Sequence, residues 1–143
     1  MATKSEDRFA VQKTDAGWRQ KLSPDQYQVL RCHGTEMRDS SPLNGEKRSG
    51  QFLCAGCGQR LFSSDDKFDS RSGWPSFHTP VEGAVDTSVD RSHFMARTEV
   101  HCSRCGGHLG HVFDDGPAPT GQRYCMNGIA MTFAPAGEKA REP

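Results

Sequence analysis

Large aliphatic side chains are scarce in this chain of 143 residues, which has one isoleucine and six leucines. Leu, Ile, Val and Phe together number 22, fewer than the roughly 20% below which disorder becomes a serious reading. Disorder also calls for charge of one sign, and that is missing too, because 18 basic residues balance 18 acidic ones. Zero net charge argues against electrostatic capture of nucleic acid. No apolar run approaches the roughly 20 residues that span a bilayer. The opening Met1-Ala2-Thr3-Lys4-Ser5-Glu6-Asp7 lacks the apolar stretch of a secretory signal. No helical seam suggests assembly, so a monomer is expected, with no nucleic-acid and no membrane partner. A thin core without self-repulsion implies one folded domain stabilised by something besides apolar burial.

Six cysteines are the candidate. Without an export signal they indicate a reducing compartment, the cytoplasm, where metal or redox chemistry is expected before a disulfide framework.

Residues 1–13 are polar and read as a leader, 14–135 as a single domain, and 136–143 as a polar tail. Thr14-Asp15-Ala16 starts a helix anchored by Trp18. Ser23, Pro24 and Gln26 form an N-cap, a first-turn proline and a capping box, with Leu22 and Tyr27 as a hydrophobic staple. Gly34 is expected to end this second helix after His33, which puts Cys32 in its last turn. Residues 35–49 read as a polar surface loop. Short β-like runs follow: 51–53, 61–62, 85–89, 94–100, 109–113, 124–126 and 129–133. Their spacing is too short for helical crossovers, so the fold class is mainly β and mostly antiparallel, with short N-terminal helices.

Cys54-Ala55-Gly56-Cys57-Gly58 recurs in form as Cys102-Ser103-Arg104-Cys105-Gly106. Two intervening residues let a tight turn present both sulfurs to one cation, and the following glycine supplies positive φ. Two such turns make a closed tetrahedral site for one structural Zn(II). Such a site has no open position for a substrate, so its expected role is folding.

Cys32 and Cys125 remain. Cys32, taken alone, reads as an inert small side chain. Cys125 lies in Arg123-Tyr124-Cys125-Met126-Asn127, where strand alternation puts Arg123, Cys125 and Asn127 on one side. A nearby cation lowers a thiol pKa, as a nucleophile near neutral pH requires. His108-Leu109-Gly110-His111 offers two imidazoles, either of which can be a general acid or a supporting group. Trp74, in Gly73-Trp74-Pro75-Ser76-Phe77-His78, reads equally as a pocket wall or a core plug. A thiol, imidazoles, an amide and an indole together would suit a methyl group beside a polar oxygen.

These segments, with Phe68-Asp69-Ser70, Arg97-Thr98-Glu99-Val100, Asp115-Gly116-Pro117 and Pro119-Thr120-Gly121, closely resemble the methionine sulfoxide reductase B family in collinear order. The resemblance implies two antiparallel sheets in an irregular barrel-like core, with the zinc site away from the active site. It implies reduction of the R epimer of methionine sulfoxide in oxidised proteins or peptides. Cys125 would attack sulfur, His111 would protonate the oxygen, and His108 and Asn127 would assist. Trp74 would wall the methyl pocket and Arg123 would stabilise the thiolate. Cys125 would become a sulfenic acid, then a disulfide that thioredoxin reduces. Many members carry a recycling cysteine where this chain has Ser72, so Cys32 is the expected resolving thiol. The rival readings are a zinc module that binds protein or RNA without catalysis, and a thiol peroxidase or redox sensor.

Overall fold

The structure, a computed structural model, describes residues 11–91, 96–118 and 120–136. Helix α1 (Asp15–Lys21) begins where the Thr14 hydroxyl accepts the Gly17 N–H at 3.0 Å. Helix α2 (Pro24–Cys32) begins with both bonds of the expected Ser23–Gln26 capping box. Leu22 and Tyr27 are both buried, as a staple requires. The end of α2 differs from expectation. His33, not Gly34, takes the left-handed conformation (φ 59°), and its N–H closes on the Gln28 carbonyl. Within the expected leader, the Val11 N–H donates to the Arg104 carbonyl at 2.9 Å, and residues 1–10 lie outside the described residues.

Among the described residues nine strands form two antiparallel sheets. The smaller has the order β2 (Arg60–Ser63), β1 (Gly50–Cys54), β9 (Met131–Pro135). The larger has the order β3 (Lys67–Phe68), β4 (Ser76–Phe77), β8 (Arg123–Met126), β7 (His108–Phe113), β6 (Arg97–Cys102), β5 (Val85–Asp90). Strands β3 and β4 were not anticipated, since two residues carry no alternation signal. Ile129, expected in the last strand, sits in a 3-10 turn at Gly128–Ala130. Phe94, expected to open β6, lies outside the described residues.

The core is thin but concentrated. Phe62 of β2 stacks on Phe77 of β4 at 4.2 Å between centroids, and Phe52 of β1 meets Phe77 edge-on at 5.0 Å. All three rings are fully buried, each contributing roughly 1.5–3 kcal/mol, and they join the two sheets. Among the described residues no helix is long and apolar enough to cross a membrane.

One irregularity positions chemistry. Val100 of β6 pairs with Gly110 of β7, but His101 pairs with His108, so Leu109 is an extra residue in a β-bulge. In a regular strand residues 108 and 111 would face opposite sides. The bulge resets the alternation and turns His108 to the face of His111.

Candidate active site and metal centre

The two CxxC turns close the ends of β1 and β6, one from each sheet. Gly58 and Gly106 take φ of 81° and 78°, and their N–H groups donate to the Cys54 and Cys102 carbonyls at 2.8 Å. The turns therefore use their glycines as expected. Sγ of Cys54 lies 3.7 Å from that of Cys105, and Sγ of Cys57 lies 3.6 Å from that of Cys102. All four sulfurs lie within 4.8 Å of one another. A tetrahedron with zinc–sulfur bonds of about 2.3 Å has edges of about 3.8 Å, so the donor set fits a metal ion. Hydrogen bonding among the thiols pulls Cys57 down, chiefly through Cys102, and pushes Cys54 and Cys105 up. Four thiolates cannot coexist at this spacing without a cation. The Gln59 amide donates to Cys102 Sγ at 3.4 Å and to the Ala84 carbonyl at 2.9 Å, and Arg31 ties α2 to the second turn through the Cys105 carbonyl. A cation here would clip one sheet to the other under the helices.

The second cysteine environment is open. Its register comes from three strand pairings: Glu99 opposite His111, His111 opposite Cys125, and Cys125 opposite Ser76. Directly opposite residues in antiparallel strands share a face, with Cβ atoms about 4.5–5.5 Å apart. The row therefore crosses β6, β7, β8 and β4 with the thiol near its middle. Gly110 makes this approach possible, since a Cβ there would lie 2.1 Å from the Cys125 carbonyl oxygen.

A cavity of about 270 Å³ opens over the row. Arg123, Cys125 and Asn127 all line it, as strand alternation requires, together with His111 and Trp74. The Trp74 indole is a wall and not a core plug. Its ring is only part-buried, and its N–H donates to the Glu36 carbonyl at 3.1 Å. Asn127 is held at both ends, donating to the Leu109 carbonyl at 3.0 Å and accepting the Glu36 N–H at 2.9 Å.

His108 does not line the cavity. It is buried behind His111, with ring centroids 5.4 Å apart, and its Nδ1 lies 2.8 Å from Glu99 Oε2. The exposed His33 pairs with the same oxygen at 3.2 Å. Burial pushes the Glu99 carboxyl up, but the bonds from His108 and His33 outweigh it and hold it well below the usual carboxylate range.

Burial pushes the Cys125 thiol up, and a Ser72 hydrogen bond and the Arg123 charge offset this only in part. The cation is already committed, because Arg123 makes two bonds to Asp115 at 2.9 and 3.2 Å. The lowered thiol pKa expected from the sequence is therefore not the resting condition. Ser72 Oγ stands 3.9 Å from the Cys125 sulfur. Cys32 lies outside the cavity, exposed at the end of α2, with its thiol beside the Tyr27 hydroxyl. Thus Cys125, His111, Asn127, Trp74 and Arg123 come together, His108 supports from behind, and Cys32 stays apart. Sequence reasoning passed over Glu36, because its interactions all cross more than 35 positions along the chain.

Residues 22–135 match the SelR domain family. A Leptospira interrogans protein named peptide methionine sulfoxide reductase MsrB is 53% identical over 126 residues, covering 87% of this chain and 96% of the relative. A Methanosarcina barkeri protein of the same name is 54% identical over 125 residues, covering 87% and 88%. The crystal structure of the Mis18 'Yippee-like' domain covers 63% of this chain and 99% of its own, with a TM-score of 0.51 and 20% identity, a likeness of fold alone. Across four-fifths of its length, the Cys125 row and the cysteine turns included, the chain belongs to the SelR-domain family, that of the methionine sulfoxide reductases B.

Proposed function

We propose that this chain is an oxidoreductase that reduces the R epimer of methionine sulfoxide, in oxidised proteins or peptides, to methionine. The observation that carries the reading is one cavity lined at once by a thiol, an imidazole, an amide and an indole. Trp74 walls the sulfoxide methyl group. The Cys125 sulfur attacks the sulfoxide sulfur, His111 delivers a proton to the oxygen, and Asn127 and the Glu99-held His108 keep the acid side of the pocket in place. The oxygen passes to Cys125 as a sulfenic acid and methionine leaves. Arg123 favours the thiolate once substrate has displaced water.

Recycling uses the remaining thiol. Cys32 attacks the sulfenic sulfur, water leaves, and the Cys32–Cys125 disulfide is reduced by thioredoxin. Ser72, beside the nucleophile, cannot perform that step. Cys54, Cys57, Cys102 and Cys105 would hold one Zn(II), which stabilises the fold and takes no part in the reaction. A monomer working in a reducing, cytoplasmic setting completes the reading.

The test is product analysis with each sulfoxide epimer and dithiothreitol as reductant. Methionine should form from the R epimer, and Cys125→Ser should abolish it. Turnover of the S epimer alone, or activity that survives Cys125→Ser, overturns the assignment.

A further inference from the structure

Glu36 follows the resolving-thiol candidate by four residues and makes four long-range hydrogen bonds. Its N–H donates to Asn127 Oδ1 at 2.9 Å, and its carbonyl accepts the Trp74 indole N–H at 3.1 Å. Its carboxylate oxygens accept the N–H groups of Gly128 and Ile129 at 2.8 and 2.9 Å. Two of these bonds hold the amide and the indole that line the cavity. The other two seat the residue on the turn that follows Asn127. Thr35, directly before it, is itself part of the cavity wall, and Cys32 is not.

We propose that Glu36 is the positioning residue that assembles the substrate pocket, and that the segment from Cys32 to Glu36 is a latch which must unseat for recycling. This rests on the assignment of Cys125 as nucleophile and Cys32 as resolving thiol. Seated, the latch aims Asn127 and Trp74 at the sulfoxide. To bring Cys32 into the cavity, Thr35 must leave the wall, and the adjacent Glu36 N–H must give up Asn127. In the recycling step the Cys32 sulfur bonds to the Cys125 sulfur and the S–O bond breaks. The hydroxyl leaves with the Cys32 thiol proton as water. The bound substrate and the resolving thiol therefore exclude each other, and the pocket comes apart only after methionine has formed.

The bonding pattern predicts opposite effects on two steps. Glu36→Ala leaves the Gly128 and Ile129 N–H groups without their carboxylate acceptors, and Glu36→Gln keeps one carbonyl acceptor for them. In the metal-loaded full chain, single-turnover consumption of the R sulfoxide should fall on the order of 10-fold in Glu36→Gln and 10²-fold in Glu36→Ala. The rate of Cys32–Cys125 disulfide formation, followed by quenched peptide mapping after one equivalent of sulfoxide, should rise in both variants. A purely structural role would lower both rates together, in step with Tm, and that result overturns the proposal. Unchanged rates in both variants overturn it as well. With Trp18→Phe, Trp74 is the sole indole. Its emission in the oxidised enzyme should then move toward that of resting Glu36→Ala, and emission unchanged by oxidation counts against an unseated latch. Wild type that consumes sulfoxide but forms no Cys32–Cys125 bond overturns the recycling assignment and the latch with it. That failure is distinguishable because it needs no variant.

Discussion

The cysteine turns and the Cys125 pocket are made of the same side chain, yet their surroundings divide them. The sulfurs of the turns face one another at 3.6 and 3.7 Å across the pairs, and the other donors on them are neutral, the Gly56 N–H on Cys54 and the Gln59 amide on Cys102. Among the described residues no other sulfur lines the Cys125 cavity, where the thiol is met by a hydroxyl, an imidazole, an amide and a guanidinium. Crowded thiolates repel one another, so the four-sulfur cluster is a donor set for a cation. An isolated thiol among proton donors is left with its lone pairs free to attack. Company, more than burial, distinguishes the two cysteine environments.

The contrast can be broken from either side. Cys102→Ala should have the largest effect, since the fully buried residue ends β6 and helps hold the two sheets together. Loss of the metal should cost on the order of 5 kcal/mol, read by elemental analysis and chemical denaturation. A variant that folds normally without metal would deny the turns their structural role. Cys32→Ser should lose nearly all thioredoxin-linked turnover while keeping one equivalent of methionine formation and dithiothreitol-driven activity. Equal thioredoxin-linked rates in the variant and wild type would remove Cys32 from the cycle. His111→Asn should slow single turnover on the order of 10²-fold with metal content unchanged. An unaltered rate would pass the proton to another donor.

Trp74→Ala should raise KM roughly tenfold with little change in Tm, because the ring walls a cavity outside the core. A large Tm loss with normal kcat/KM would return the indole to the core. The smallest effect concerns pH. Burial raises the Cys125 pKa, so the thiol stays protonated to higher pH than an ordinary cysteine, and alkylation by iodoacetamide should rise late on a pH scan. Arg123→Met removes a lowering influence and should move that profile to still higher pH. A profile that stays in place or moves to lower pH would show that Arg123 exerts no lowering influence on the thiol.

Much of this was legible along the chain. The capping box at Ser23–Gln26, the staple and the positive φ at Gly58 and Gly106 depend on residues within a few positions of each other, where backbone geometry is nearly decided by spacing. Strand alternation likewise brought Arg123, Cys125 and Asn127 to one side. The end of α2 was misplaced by one residue, because the pairing of His33 with Glu99, 66 positions away, accompanies a left-handed conformation that glycine would adopt more readily. The two-residue strands β3 and β4 escaped notice, being defined only by their partners.

By itself the sequence determined which atoms were available: four sulfurs at metal spacing, a further thiol with a cation two residues before it, and two imidazoles three residues apart. Tertiary structure decided their tasks. The bulge at Leu109 turned His108 to the side of His111, yet Glu99 holds His108 behind the cavity and leaves His111 at its wall. Asp115 claimed the charge of Arg123, so burial prevails at the thiol. Glu36 tied Asn127, Trp74 and the 3-10 turn to the segment that carries Cys32. Each of these outcomes is a competition between partners distant along the chain, and strand register and burial, which arise only on folding, select the winner.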